Sequence, residues 1–217
     1  MKKFLKTPGW FLIVFPLIWL SCTKEPMSQV IELQINGDQK VITVETNGVG
    51  IELCLLNEKG EPATVFNEGE NFKFHLEIKN NVEKDTAMYI VSDFLRNPDL
   101  FRVCKSNGHA IGQPVEWDGM NKISDGYPIR YNKTWDMQIP WHETRGMEEP
   151  FDADNEIRVL QHYFMGLNQQ PLSKGKYYTK FTQQFCLGRY FNWKVYVGTF
   201  EYLCTNTLIL KINFEIK

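Results

Sequence analysis

Apolar and polar residues alternate strictly in the segment from Phe72 to Lys79. The residues between the apolar ones are lysine, histidine or glutamate. Because successive side chains of a β-strand point to opposite faces, this pattern predicts a strand with one buried face and one solvent-exposed face. A helix does not have this period. The apolar positions are Phe72, Phe74, Leu76 and Ile78.

The segment 208–217 has the same alternation. Its apolar residues are Leu208, Leu210, Ile212, Phe214 and Ile216, and lysine, asparagine and glutamate separate the later ones. A strand with one apolar face needs a second layer to cover it. Two such strands far apart in sequence therefore predict an antiparallel β-sandwich closed by its last strand. We expect one shared core that contains Phe74, Leu76, Tyr177, Phe181, Ile212 and Phe214.

Two short segments between strand-like runs predict β-hairpins. Asn36-Gly37 lies between the runs 31–35 and 41–44. Asn-Gly is the strongest short hairpin signal, because both central residues of a type I′ turn need a positive φ. Ser106-Asn107-Gly108 separates two later runs in the same way.

The section 116–170 is less regular than the rest of the chain. It contains three tryptophans and three prolines, with many glycine, asparagine and aspartate residues. We expect long loops there. Since a structureless loop of this length is uncommon in a compact domain, we also expect short strands at 127–139 and 157–164.

The first 21 residues have the layout of a secretory signal peptide. Lysines open the chain, and an apolar run from Trp10 to Leu20 follows. That run is shorter than the roughly 20 residues that a transmembrane helix needs. A buried N-terminal strand is the alternative, but it would have to bury four large aromatic side chains.

Leu20-Ser21-Cys22 resembles the lipobox of bacterial lipoproteins, although Trp19 stands where that family prefers an aliphatic residue. The resemblance implies that Cys22 is lipidated and becomes the first residue of the mature protein, which is then anchored in the outer membrane at its periplasmic face or at the cell surface. We expect a signal peptide at 1–21, a tether at 22–29 and a single sandwich domain at 30–217, with its core at 49–217.

The charge of the chain argues against nucleic-acid binding, and its composition favours β-strands. Loss of residues 1–21 removes three lysines and no acid, so the formal net charge changes from −2 to −5. A mildly acidic domain without a basic segment is a poor nucleic-acid binder, and we expect no nucleic-acid partner. Aromatic residues make up 14% of the chain, which favours strands.

Two segments resemble bacterial immunoglobulin-like domains. Residues 66–71 precede the alternating strand, and Leu172, Gly175 and Tyr177 resemble the tyrosine corner of such sandwiches, where the phenol bonds back to upstream backbone. The whole chain is similar to uncharacterised lipoproteins of the Bacteroidetes type and, more remotely, to the BsuPI family of proteinase-inhibitor domains. The resemblance covers 49–217 and implies an all-β fold: an antiparallel immunoglobulin-like β-sandwich with a long irregular insertion. It assigns no functional residue.

Four cysteines remain after Cys22: Cys54, Cys104, Cys186 and Cys204. In an exported chain they can form two disulfides, with three connectivities, or stay free and buried. Cys186 ends one predicted strand and Cys204 begins the next. We therefore predict that these two residues form a disulfide across neighbouring antiparallel strands.

We expect no metal and no cofactor. No two cysteines have Cys-x-x-Cys spacing. The alternating acids of 152–156 resemble a calcium loop, but Ile157 stands where an EF-hand needs glycine. His75 lies on the predicted solvent face of its strand, where we expect it to be hydrated.

The aromatic excess is the feature with the most bearing on function. Trp135, Trp141, Trp193 and Tyr190 lie in irregular or connecting segments and form a candidate binding surface; the alternative is that they fill the core. We predict a non-enzymatic lipoprotein that binds a protein or a glycan. The alternatives are a proteinase inhibitor that uses 188–202 as its loop, and a hydrolase with paired carboxylates that the sequence does not identify.

Overall fold

The computed structural model describes residues 30–35, 38–81, 88–90, 97–117, 128–129, 131–144, 164–167, 169–189 and 201–217. All regular secondary structure in these residues is β-strand, so the all-β prediction is confirmed. No helix in this part of the chain is long and apolar enough to cross a membrane.

The strands of the first half of the chain are β1 (Val30–Ile35), β2 (Val41–Thr46), β3 (Val49–Leu56), β4 (Val65–Phe66), β5 (Lys73–Asn80), β6 (Met88–Ile90), β7 (Val103–Lys105) and β8 (Ala110–Gly112). Those of the second half are β9 (Val115–Trp117), β10 (Pro128–Ile129), β11 (Thr134–Pro140), β12 (Phe164–Gly166), β13 (Gly175–Gln183), β14 (Cys186–Arg189), β15 (Glu201–Cys204) and β16 (Thr207–Ile216).

The larger of the two main sheets is built around β16. Its strand order is β1–β16–β13–β7–β8, and the short β4 also pairs with β16. β16 runs antiparallel to β13 along nine residue pairs but parallel to β1 and β4. The sheet is therefore mixed, with its parallel pairs along one edge of β16.

The second main sheet has the order β11–β5–β3–β2 and is antiparallel throughout. β5, one of its two central strands, is the alternating segment identified in the sequence, and the buried residues of β5 include all of its apolar ones. The remaining described strands form a sheet of order β10–β6–β14–β15 and the pair β12–β9.

The apolar faces of the two main sheets pack on each other. The ring centroid of Phe72, directly before β5, lies 5.2 Å from that of Phe214 in β16. The ring of Phe74 stacks on that of Phe101 at 4.7 Å, and Phe101 meets Phe181 edge-on at 6.1 Å. All six residues predicted to share a core belong to one cluster, and none is more than 4% exposed. The β-sandwich prediction and its core are confirmed.

The first predicted hairpin is in the wrong place. β1 and β2 do not pair on either side of Asn36-Gly37, because β1 belongs to the larger sheet, where it pairs with β16. The two-residue hairpin joins β2 to β3 instead, at Asn47-Gly48, whose φ values of +53° and +74° are both positive. The second predicted hairpin is confirmed: β7 and β8 pair around 106–108, and Gly108 has a φ of +89°.

Candidate functional site

The outer face of the β11–β5–β3–β2 sheet contains a cluster of ionisable side chains centred on His75. His75 lies in the middle of β5 and points away from the core, as the alternation of the strand requires. Its side chain is nevertheless only 12% exposed. The expectation that His75 is hydrated is therefore wrong, because neighbouring strands contribute side chains that cover the ring.

Two carboxylates contact the same nitrogen of His75. Nε2 lies 2.9 Å from Oδ1 of Asp136 in β11 and 3.3 Å from Oε1 of Glu77 in β5. The antiparallel register places Asp136 directly opposite Glu77, so Asp136 is a diagonal neighbour of His75. Glu77 is two residues from His75 and therefore lies on the same face of the strand.

The other ring nitrogen faces a thiol. The register places Cys54 of β3 opposite His75, and Sγ of Cys54 lies 3.5 Å from Nδ1. Cys54 has no solvent exposure. The imidazole thus connects a fully buried thiol on one side to two partly exposed carboxylates on the other.

These contacts change the protonation of the cluster. The close contact with Asp136, and then the contact with Cys54, raise the pKa of His75 from 6.5 to about 10, although burial of the ring opposes the shift. Without a bound metal ion, the ring is therefore cationic at neutral pH. Burial raises the pKa of the Glu77 carboxyl; the charge of His75 opposes this shift, and the charges of Glu52 and Asp136 add to it.

The contacts of Nε2 are close but poorly directed. The atom is enclosed by protein, yet neither carboxylate oxygen lies near enough to its N–H axis to accept a good hydrogen bond. The short contact with Asp136 is nevertheless the largest cause of the raised pKa of His75, and the charge of Asp136 adds less.

A row of like charges crosses the sheet beside the histidine. Glu52 of β3, Glu77 of β5 and Asp136 of β11 are register partners and point to the same face. Like charges directly opposite each other destabilise a sheet. His75, helped by the more distant Lys79, supplies the compensating positive charge.

The cluster has two possible chemistries. Cys54, His75 and Asp136 have the thiol–imidazole–carboxylate order of a nucleophilic hydrolase, but a thiol without solvent exposure cannot reach a substrate. Alternatively, His75, Glu77 and Asp136 can hold a metal ion, since their ligand atoms all lie within 4.8 Å of one another. The sequence pattern, from which we expected no metal, does not reveal this group.

Two of the four aromatic residues proposed as a binding surface lie in the core. Trp135 and Trp141 are both 0% exposed. Trp135 occupies an inward-facing position of β11, and Trp141 stacks on Phe72 while its Nε1 donates to the Gln170 carbonyl at 2.9 Å. Their assignment to a binding surface is wrong, because the inward alternation of β11 and the stacking on Phe72 direct both indoles into the sandwich. Tyr190 and Trp193 lie outside the described residues, as do Cys22 and the acids of 152–156.

The remaining predicted residues have a defined structural setting. The Tyr177 hydroxyl donates to the Ser173 carbonyl at 2.8 Å, which is the backward bond that a tyrosine corner requires. Cys186 and Cys204 are direct register partners in β14 and β15. Opposed residues of an antiparallel pair lie within the Cα distance of about 7 Å that a disulfide allows. The disulfide itself stays a prediction.

Comparison of this chain with protein-family models, with curated proteins and with solved structures finds no match. The candidate site therefore rests on its own geometry.

Proposed function

We propose that this protein is a non-enzymatic binding module of the bacterial cell envelope, anchored in the outer membrane through a lipidated Cys22. We propose further that it binds a protein or a glycan, and that its binding site is the outer face of the β11–β5–β3–β2 sheet around His75. The resemblance to Bacteroidetes-type lipoproteins supports the anchoring part of this proposal. The geometry of the cluster supports the part that concerns the site.

One observation carries the choice of site: an imidazole and two carboxylates from two neighbouring strands converge on a rigid sheet. Asp136 and Glu77 remain 43% and 36% exposed, so a ligand can reach them. Functional groups held on strands are positioned more precisely than groups held on loops. The enclosure of Cys54 supports binding over catalysis, because the thiol nearest to the imidazole is inaccessible.

Metabolic labelling with an alkyne fatty acid tests the anchor. We expect the wild-type protein to be labelled and to fractionate with the outer membrane, whereas Cys22→Ser should be unlabelled and should stay uncleaved. Cys104→Ser, which changes a half-buried cysteine elsewhere, is the matched control and should behave like wild type. An unmodified N-terminus at another residue, with the protein in the soluble fraction, would contradict the anchor.

Paired surface variants test the binding face. Gln138 in β11 is exposed beside His75, and Thr182 in β13 is exposed on the other main sheet. On glycan arrays and in pull-downs with purified envelope proteins, Gln138→Arg should weaken any saturable binding at least tenfold, and Thr182→Arg should not. Equal binding by both variants would place the site elsewhere.

A thiol hydrolase is the second candidate, since the order of Cys54, His75 and Asp136 favours it. Alkylation by iodoacetamide separates the two functions. In the folded binding module Cys54 should react only after denaturation. Rapid alkylation of Cys54 in the native protein, together with hydrolysis of an ester or peptide substrate that Cys54→Ala abolishes, would establish the hydrolase.

A further inference from the structure

His75, Glu77 and Asp136 present three metal-ligand atoms of two kinds at one point of the sheet. One is an imidazole nitrogen and two are carboxylate oxygens, and all three lie within 4.8 Å of one another. Two of the residues share β5, and the third lies on the adjacent strand β11. Because the sheet fixes all three backbones, the ligand atoms are held together before any ion binds.

The spacing fits a tetrahedral ion. With bonds of about 2.1 Å to nitrogen and oxygen, two ligands of tetrahedral Zn²⁺ lie about 3.4 Å apart. The separation between Nε2 of His75 and Oε1 of Glu77 is 3.3 Å, and that between Nε2 and Oδ1 of Asp136 is 2.9 Å. The Asp136 oxygen is thus about half an ångström closer to Nε2 than this spacing, and the two carboxylate oxygens lie within 4.8 Å of each other.

The direction of the contacts also fits a metal. A proton on Nε2 needs its acceptor on the N–H axis, whereas an ion on that axis needs the other ligands to flank it. Nε2 is enclosed, and both carboxylate oxygens lie close to it without the alignment of a good hydrogen bond. The opposite nitrogen, Nδ1, faces Sγ of Cys54, an outer contact that fixes the orientation of the ring.

The local charge favours a cation. Glu52 extends the row of Glu77 and Asp136 to three carboxylates on adjacent strands, and their repulsion decreases when an ion binds. An imidazole ligand selects first-row transition metals over Ca²⁺ and Mg²⁺, which prefer oxygen alone.

We propose that His75, Glu77 and Asp136 bind one divalent transition-metal ion, best fitted by Zn²⁺, and leave a coordination position open toward solvent. The proposal rests on the assignment of the binding face above and specifies its chemistry. An open position allows a carboxylate or hydroxyl group of an envelope ligand to complete the coordination, as water does in three-ligand zinc sites.

Calorimetric titration with Zn²⁺ tests the site. The tag-free full chain is extracted in mild detergent, freed of metal by a chelator that is then removed, and titrated at neutral pH. We expect one Zn²⁺ per chain with a Kd below about 10 µM. His75→Ala, Glu77→Gln and Asp136→Asn should each weaken binding at least tenfold, whereas His109→Ala, which removes an exposed histidine from the β7–β8 turn, should not.

Two further measurements keep the outcome unambiguous. Co²⁺ bound in place of Zn²⁺ should give visible d–d absorption that Asp136→Asn removes. Circular dichroism shows whether each variant is folded. If His75→Ala is unfolded, the titrations of Asp136→Asn and Glu77→Gln decide whether the metal site exists. Millimolar Ca²⁺ or Mg²⁺ should not displace the Zn²⁺.

Three results would overturn the metal site: no Zn²⁺ binding above that of the His75→Ala variant, displacement of Zn²⁺ by Ca²⁺, or wild-type affinity in Asp136→Asn. Any of them leaves an ion pair alone at His75. The proposed function fails separately, if Gln138→Arg and Thr182→Arg bind envelope ligands equally while Zn²⁺ still binds.

Discussion

Phe74 and His75 are adjacent in β5 and lie in opposite environments. Phe74 points inward, is 0% exposed and stacks on Phe101. His75 points outward and is almost as well covered, but its neighbours are a thiol and two carboxylates. The inner face is stabilised by the shape and volume of its side chains, which do not depend on pH. The outer face is stabilised by charge, which does. Burial alone therefore does not show how a residue contributes to a sheet.

Truncation of the inner residue should destabilise the protein most. Phe74→Ala leaves a cavity between the two main sheets, and we expect it to lower the free energy of unfolding by ~3–5 kcal/mol. Urea denaturation measures the loss. Lys73→Ala, one residue earlier and exposed, is the control and should change stability little. A Phe74→Ala variant as stable as wild type would contradict the packing described for β5.

Raising the pH should weaken the outer face through His75. The pKa of His75 is about 10 in the folded protein and 6.5 in the unfolded chain, so the folded state keeps its proton more tightly. Its contribution to stability is complete below about pH 6.5 and disappears as the pH rises through about 10. After allowance for screening at the two partly exposed carboxylates, we expect a loss on the order of 2 kcal/mol.

The measurement is a series of urea denaturations of the metal-free protein, in chelator, between neutral pH and pH ~10. His75→Gln is the reference, because other groups also titrate in this range and the difference between the two proteins isolates His75. Parallel pH profiles for wild type and His75→Gln would show that the ion pair contributes nothing.

Tyr177 combines an apolar and a polar environment in one side chain. Its ring stacks on Phe214 in the core and its hydroxyl bonds to the Ser173 carbonyl. Tyr177→Phe keeps the ring and should cost about 1 kcal/mol in thermal or urea denaturation. Ser173→Ala should cost less, because it leaves the main-chain acceptor in place. The reverse order would indicate that the Ser173 side chain, and not its carbonyl, holds the phenol.

One substitution should raise the free energy of unfolding slightly. In the metal-free protein Glu52→Gln removes one carboxylate from the row formed with Glu77 and Asp136, and we expect stabilisation by about 0.5 kcal/mol. Glu32→Gln in the exposed part of β1 is the control and should be neutral. Destabilisation by Glu52→Gln, measured by urea denaturation in chelator, would mean that Glu52 makes a favourable contact that outweighs the repulsion.

Local pattern was sufficient to predict the core and insufficient to predict strand pairing. The alternation of β5 and β16 identified their inner faces correctly, because burial of one face follows from the period of the strand. Three Asn-Gly pairs carry the same local signal: Asn47-Gly48 and Asn107-Gly108 lie in hairpins, whereas the strands before and after Asn36-Gly37 do not pair with each other. β1, which precedes Asn36-Gly37, pairs with the distant β16. The sequence of a turn contains no information about pairing between strands so far apart in the chain.

The candidate site was invisible to sequence for the same reason. His75, Asp136 and Cys54 lie on three strands, and only the registers of β5 with β11 and with β3 bring them together. The one available signal was the acid at Glu77, two residues from His75 on the same face. For Trp135 and Trp141 the error was the opposite one: residues predicted to form a binding surface lie in the core. Trp135 lies in β11, whose first residue the sequence pattern does not define. Because side chains alternate along a strand, that first residue decides whether Trp135 points inward.

The central place of β16 has a consequence for the order of folding. β1, β4 and β13 all pair with β16, which follows each of them in the chain. Of these strands, β1 is the most distant from β16 in sequence, since Val30 pairs with Thr207. Such non-local pairing is slow to form, because a long loop must close before any contact is made. Until β16 has been synthesised the larger sheet lacks the strand with which β1, β4 and β13 pair, so we expect this sheet to form only after the C-terminal residues of the chain have been made.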